Sequence, residues 1–189
     1  MSIAKNIETV VSTFQKGRSL SEQEFGLDEL ISKLNQFEPR YRSVAFEGAS
    51  MGVAIQNSLG TWNKYAKAAE KHATQVHIGL GWAIAEGQMN LASTLSEIEP
   101  DFQVKVLDGY GYWHGLFRRR LTIRTQTIPK NITSEYQSGF DQGIGIASTY
   151  VGGCSDELIG ELISASSEFK KNFETGIESA ESSLKRAQS

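Results

Sequence analysis

Cysteine and long apolar runs are almost missing from this sequence, and each shortage excludes a class of protein. Cys154 is the only cysteine in 189 residues, so no disulfide can form within the chain and a reducing compartment is favoured. No window approaches the roughly 18 consecutive apolar residues of a membrane-spanning helix. The N-terminal segment lacks the basic end and unbroken apolar stretch of a signal peptide. We therefore expect a cytoplasmic protein without a membrane span.

Positive charge is also in short supply. The chain has 22 acidic and 19 basic residues, for a net charge of -3. Nucleic-acid-binding proteins need a basic surface to contact the phosphate backbone, so we expect neither DNA nor RNA as a partner. Hydrophobic residues make up 39% and charged residues 22% of the chain, which is typical of a globular protein. A single domain is the expectation at this length.

Strand-like alternation is confined to residues 121–129, where no pairing partner is evident, and we expect an extended connection there. Elsewhere apolar residues recur at helical spacing. Ser21 and Glu24 form a capping-box pattern that predicts the start of a second helix. The predicted fold is all-α, a single helical domain over residues 1–189. It comprises an N-terminal helical pair (1–38), a central region (40–153) and a C-terminal amphipathic helical region (154–185).

Proline is rare, with three residues, whereas glycine is abundant, with 18. Short glycine-containing segments recur at 46–54, 77–83, 140–147 and 173–180. Each glycine within a helix costs about 1 kcal/mol relative to alanine, so something must offset the sum. Close helix crossing is the favoured explanation, and a ligand lying against bare backbone is the alternative. The glycines that fall within predicted helices are Gly48, Gly52, Gly79, Gly81, Gly87, Gly109, Gly111, Gly115, Gly143, Gly145, Gly160 and Gly176.

Two pairs of these glycines carry the argument for crossing helices. Gly48 with Gly52, and Gly111 with Gly115, lie one helical turn apart and so share a face. Helices without side chains on one face can approach each other closely. The sequence therefore predicts a helical domain in which glycine-rich helices cross at short distance.

Recognisable metal, nucleotide and nucleophile motifs are absent. The three histidines and single cysteine form no Glu-x-x-His, His-Glu-x-x-His or Cys-x-x-Cys pattern, so we predict no metal site. The Gly-x-Gly segments at Gly79 and Gly143 follow no convincing strand, which argues against a dinucleotide site. We predict no cofactor and assign no catalytic residue.

Acidic and aromatic residues in the glycine-rich segments are the candidates for ligand binding. Acids beside glycines in apolar surroundings need partners if they are buried. They could serve acid–base chemistry together with histidines, or hydrogen-bond to helix ends and other side chains. Aromatic residues at 82, 110, 112 and 113 could line an apolar pocket for a polyene or another flat ligand, with arginines 118–120 near its mouth; the alternative is a packed core. The candidate ligand-binding residues are Glu47, His77, Trp82, Asp108, Tyr110, Trp113, His114, Asp141 and Gln142.

Four segments occur in the same order as the motif blocks of a bacterial enediyne biosynthesis protein family, itself a domain of unknown function. They are EGASMGVAI, VHIGLGWAIA, LDGYGYWHGLF and SGFDQGIGIA, and the resemblance covers about residues 40 to 153. Two positions depart from the family pattern. Trp113 stands where the family motif has histidine, and Ile146 where it has arginine. The chain also resembles an abbreviated member of that family.

Two alternative functions are expected, and the first is implied by the resemblance. The first is an accessory protein of natural-product biosynthesis that binds a hydrophobic intermediate, with or without modifying it. The second is a noncatalytic helical subunit whose glycine-rich faces mediate self-assembly or assembly of a larger complex, an alternative favoured by the shortened length and the two motif departures. The expected partners are accordingly a hydrophobic small molecule, and a homo-oligomer or protein complex.

Overall fold

The computed structural model describes residues 3–87, 89–117, 134–150 and 169–186, and within these ranges the chain contains helices and no strands. The all-α prediction is confirmed. A 3₁₀ turn at Glu70–His72 precedes the fifth helix. The α-helices are α1 (Ile3–Ser21), α2 (Leu27–Asn35), α3 (Pro39–Gln56), α4 (Leu59–Ala68), α5 (Ala73–Ala85), α6 (Leu91–Ser96), α7 (Pro100–Phe117), α8 (Ser134–Tyr150) and α9 (Phe169–Arg186).

Six long helices form a row in which each packs against the next, in the order α1, α3, α5, α7, α8, α9. The shorter helices α2, α4 and α6 connect the first four of them. Helices α7 and α8 run parallel, because residues later in α7 contact residues later in α8. Val104 lies opposite Gly139, and Gly115 lies opposite Ala147.

Glycines lie at the points where these long helices cross. A Cβ on Gly109 would collide with the backbone carbonyl of Ile78 in α5, and one on Gly111 with the carbonyl of Phe140 in α8. Residues two apart on a helix point to nearly opposite sides, so a Gly-x-Gly segment removes side chains from both faces of one helix. Gly143 and Gly145 repeat the arrangement in α8, against α7 and α9. Gly-x-Gly therefore marks helices that are packed on both sides.

The glycine pairs one turn apart serve a single contact, as predicted. Gly48 and Gly52 both face α1, at Phe14 and at Arg18 with Ser21. Gly111 and Gly115 both face α8. The close-crossing explanation of the glycine content is confirmed for these helices.

Two local predictions are wrong. Ser21 does not cap a second helix: it is the last residue of α1 and donates a hydrogen bond to the Arg18 carbonyl, because the contact with Gly52 of α3 extends α1 to this point. Helix α2 begins only at Leu27. Gly87 lies after α5 with a φ of 92° and ends that helix, where a left-handed conformation suits glycine. The predictions for residues 121–129, Arg118 to Arg120, Gly160 and Cys154 lie outside the described residues.

Candidate functional site

A cavity of about 780 Å³ lies on one side of the helix row, and all six long helices contribute to its wall. The row must therefore curve around it. Most of the wall is apolar or aromatic. Its aromatic residues are Phe14 of α1, Tyr41 of α3, Trp82 of α5, Tyr112, Trp113 and Phe117 of α7, and Tyr150 of α8.

Glu47 is the acidic group in the inner wall of this cavity. It is buried on α3, next to the crossing where its own backbone carbonyl abuts Gly79 of α5. Burial raises the pKa of the Glu47 carboxyl to about 8, and the nearby indole N–H of Trp82 lowers it by a smaller amount. That indole and the carboxyl approach without meeting the distance and angle limits of a hydrogen bond. Near neutral pH, Glu47 is therefore mainly a neutral carboxylic acid.

Aromatic rings surround the Glu47 carboxyl. Trp82 packs edge-on against Tyr112, with ring centroids 4.7 Å apart, and against Phe14 at 4.8 Å. Tyr112 and Tyr150 have ring centroids 5.9 Å apart. Burial raises the pKa of both tyrosines, and the charge of Glu47 contributes to each increase, which places all three groups in one electrostatic neighbourhood. We call Glu47, Trp82, Tyr112 and Tyr150 the Glu47 cluster.

The rim of the cavity combines exposed apolar residues with an ion pair. Val11 is 47% exposed and Phe117 is 65% exposed, and both line the cavity. Arg18 lies 3.5 Å from Glu86 in a partly exposed ion pair at the C-terminal ends of α1 and α5. An apolar ligand that enters from solvent would therefore meet apolar side chains at the rim.

The structure brings three of the predicted site residues together. Glu47, Trp82 and Trp113 all line the cavity. Tyr112, which the sequence placed among the pocket aromatics, lines it too. Sequence reasoning did not find Phe14, Arg18 or Tyr150, because their approach to Glu47 depends on the curvature of the whole row. The spacing of apolar residues in α1 and α8 indicates a buried helix face, but it does not show whether that face contacts a packed core or a cavity.

His77 lies in a different environment. Its ring stacks on Phe102, with centroids 4.1 Å apart, and meets the edge of Trp62 at 5.2 Å. Its Nδ1 is 2.7 Å from the Ala73 carbonyl oxygen. Burial lowers the pKa of His77, so a neutral ring fits this packed position.

The remaining predicted residues lie on α7 and α8, near the contacts of these helices with their neighbours, and do not line the cavity. Asp108 forms an ion pair with Lys105 at 2.9 Å, and burial raises its pKa to about 6 while Lys105 opposes the increase. The rings of Tyr110 and His114 are 4.5 Å apart, and both lie near Phe140. Asp141 is buried in α8, and the neighbouring Gln142 contributes its carbonyl to the crossing with α9. Whether these residues bind a ligand stays a prediction.

No group of three or more histidine, cysteine, aspartate and glutamate side chains is placed to hold a metal ion within residues 3–87, 89–117, 134–150 and 169–186. Among the helices in those same ranges, none is both long and apolar enough to cross a bilayer.

The family model described as "Protein of unknown function (DUF1702)" matches residues 1–172. The chain belongs to the DUF1702 family. The match includes all the helices from α1 to α8, and therefore most of the cavity wall. Comparison with curated proteins and with solved structures finds no match.

Proposed function

We propose that this protein binds an elongated hydrophobic small molecule in the central cavity, as an accessory protein of natural-product biosynthesis. The observation that carries the proposal is the cavity of about 780 Å³ with its aromatic wall. Ligand pockets typically enclose roughly 300 to 1,000 Å³ and combine apolar walls with a few polar groups. The Glu47 carboxyl is such a polar group.

The positions of the motif residues support the link to natural-product biosynthesis. Each of the four blocks that resemble the enediyne family contributes a residue to the cavity wall, namely Glu47, Trp82, Trp113 and Ile146. Trp113 and Ile146 are also the two departures from that family's pattern. Both replace a polar residue with an apolar one, so they make the wall of this cavity more suitable for an apolar molecule.

The alternative of a noncatalytic assembly subunit has less support. It requires glycine-rich faces that are free to contact another chain. The face of Gly48 and Gly52 is instead covered by α1, and the face of Gly111 and Gly115 by α8 of the same chain. The native mass of the purified protein tests this alternative directly.

A fluorescence titration tests the binding proposal. Trp82 and Trp113 line the cavity, so a polyene hydrocarbon such as axerophthene should quench their emission on binding. Trp113→Ala should weaken binding roughly tenfold, because an aromatic wall of the site is lost. Tyr110→Ala is the matched control, since Tyr110 is also half-buried on α7 but does not line the cavity.

The two variants separate binding from stability. Tyr110→Ala should lower the melting temperature and leave the affinity for axerophthene within about twofold of wild type. Absence of any saturable quenching in the folded wild-type protein would overturn the binding proposal.

A further inference from the structure

We propose that the cavity selects an uncharged ligand carrying a hydrogen-bond acceptor, such as a ketone or ester carbonyl, to which Glu47 donates a hydrogen bond as a neutral carboxylic acid. This inference rests on the proposed binding function and specifies the ligand's polar group. It depends first on the geometry of the Glu47 cluster, in which a buried carboxyl lies against a cavity rather than against a basic partner.

In the part of the chain that the structure describes, the two arginines of the cavity wall form ion pairs with glutamates other than Glu47. Arg18 Nε is 3.2 Å from Glu22 and its Nη2 is 3.5 Å from Glu86. Arg40 lies 2.7 Å from Glu38, and its guanidinium covers the ring of Tyr41 at 4.9 Å. Among the described residues, the titratable and charged groups that share the cavity wall with Glu47 are Arg18 of α1, Arg40 and Tyr41 of α3, Glu86 directly after α5, Tyr112 of α7 and Tyr150 of α8.

None of these charged groups lowers the pKa of Glu47 enough to cancel the increase caused by burial. Burial raises this pKa, and the Trp82 indole lowers it by a smaller amount. The indole N–H of Trp82 lies near the carboxyl without a hydrogen bond to it, and its influence on the pKa is the smaller of the two. The O–H of the neutral acid then remains for a ligand. A carbonyl oxygen placed there would accept a hydrogen bond from this O–H, whereas a hydrocarbon would displace water from the carboxyl and provide no acceptor.

Charged ligands fit this surrounding less well. A carboxylate would enter an apolar cavity that already holds an acid, and the arginines that the structure describes in its wall, Arg18 and Arg40, are already paired with glutamates. An ammonium group would gain from the aromatic rings and from an ionised Glu47, but it would lose its own hydration. Comparison of the affinities for an ester and an amine with the same polyene chain decides between a carbonyl and an ammonium ligand.

Four retinoid probes with the same polyene chain provide the test: methyl retinoate (an ester), axerophthene (a hydrocarbon), retinoic acid and retinylamine. Binding is measured by quenching of tryptophan fluorescence at pH 6.5 and at pH 9. At pH 6.5, methyl retinoate should bind roughly three- to tenfold more tightly than axerophthene, the range expected for one hydrogen bond. That preference should shrink at pH 9, because an ionised Glu47 cannot donate.

Two substitutions at Glu47 assign the effect to that residue. Glu47→Leu should make the affinities for the ester and the hydrocarbon equal, since no donor remains. Glu47→Gln keeps a neutral donor of the same shape, so it should retain the ester preference and lose its dependence on pH. Melting temperatures establish that both variants are folded.

The outcomes distinguish this inference from the binding proposal. If the four probes bind equally well, or if retinylamine binds most tightly and does so more strongly at pH 9, the carbonyl inference is overturned while the cavity remains a binding site. If none of the four probes binds the folded protein, both proposals are overturned.

Discussion

Glu47 in α3 and Asp108 in α7 look alike in sequence, since each is an acid followed by a glycine at a helix crossing. Their surroundings differ. Asp108 pairs with Lys105, three residues earlier on the same helix, whereas the residue three positions before Glu47 is Val44, which lines the cavity. The pKa rises to about 6 for Asp108 and to about 8 for Glu47. Burial is common to both acids, and the presence of a basic neighbour separates a structural acid from one that faces a cavity.

The crossings that hold both acids in place give the largest predicted effect. Gly109→Leu should lower the free energy of unfolding by about 3 kcal/mol, because the new side chain meets the Ile78 backbone, which cannot move aside. Chemical denaturation monitored by circular dichroism measures the change.

Gly60→Ala is the matched control for this prediction. Gly60 lies in the first turn of α4, where the nearest atom to an added Cβ is Ser58 Oγ at 3.7 Å. This substitution should leave stability unchanged or raise it by up to about 1 kcal/mol. Equal stability of the Gly109→Leu variant and wild type would remove close crossing as the reason for the glycines.

The pH dependence of stability separates the two acids directly. Each has a folded-state pKa above its unfolded value, so each contributes most to stability below the unfolded value and loses that contribution as pH rises towards the folded one. For Asp108 the window is from 3.8 to about 6, and for Glu47 from 4.5 to about 8. Between pH 6 and 8, Glu47 should therefore lower the free energy of unfolding by about 2 kcal/mol.

Glu47→Gln should flatten this part of the curve, because the amide does not ionise. The measured quantity is the difference between wild type and variant, since His72 and His77 have pKa values below the ordinary 6.5 and add a slope of opposite sign at lower pH. Parallel curves for wild type and Glu47→Gln between pH 6 and 8 would show that Glu47 is not a buried neutral acid.

Much of the fold follows from local sequence patterns. The Gly-x-x-x-Gly spacing at Gly48 and Gly111 predicts the crossings, and the four repeated glycine segments lie within four of the six long helices, α3, α5, α8 and α9. Ser21 shows the limit of this approach, because a capping pattern was overridden by the packing of α1 against α3. Local preferences are weaker than an extended tertiary contact.

The candidate site was less predictable, for a related reason. Glu47 and Trp82 were singled out, yet His77 and Asp108 were placed beside them on the same grounds of an apolar and glycine-rich setting. A residue faces the cavity only if the row of six helices curves around its side of the helix. That curvature depends on contacts between residues far apart in the sequence. One local signal was present in the sequence. Lys105 at helical spacing from Asp108 indicates a paired acid, while no basic residue lies at that spacing from Glu47.

The smallest predicted effect concerns Asp108→Asn and ligand binding. Asp108 is on α7, as are Tyr112 and Trp113 of the cavity wall, but its carboxyl bonds to Lys105 and does not line the cavity. The affinity for methyl retinoate should therefore stay within about twofold of wild type, even if the melting temperature falls. Fluorescence titration of Asp108→Asn beside Glu47→Leu measures both acids with one probe. A loss of affinity of tenfold or more in a folded Asp108→Asn protein, with normal ester preference in Glu47→Leu, would move the binding site from the cavity to the contact between α7 and α8. The paired acid, Asp108, would then be the ligand-binding acid, and the cavity-facing acid, Glu47, would not.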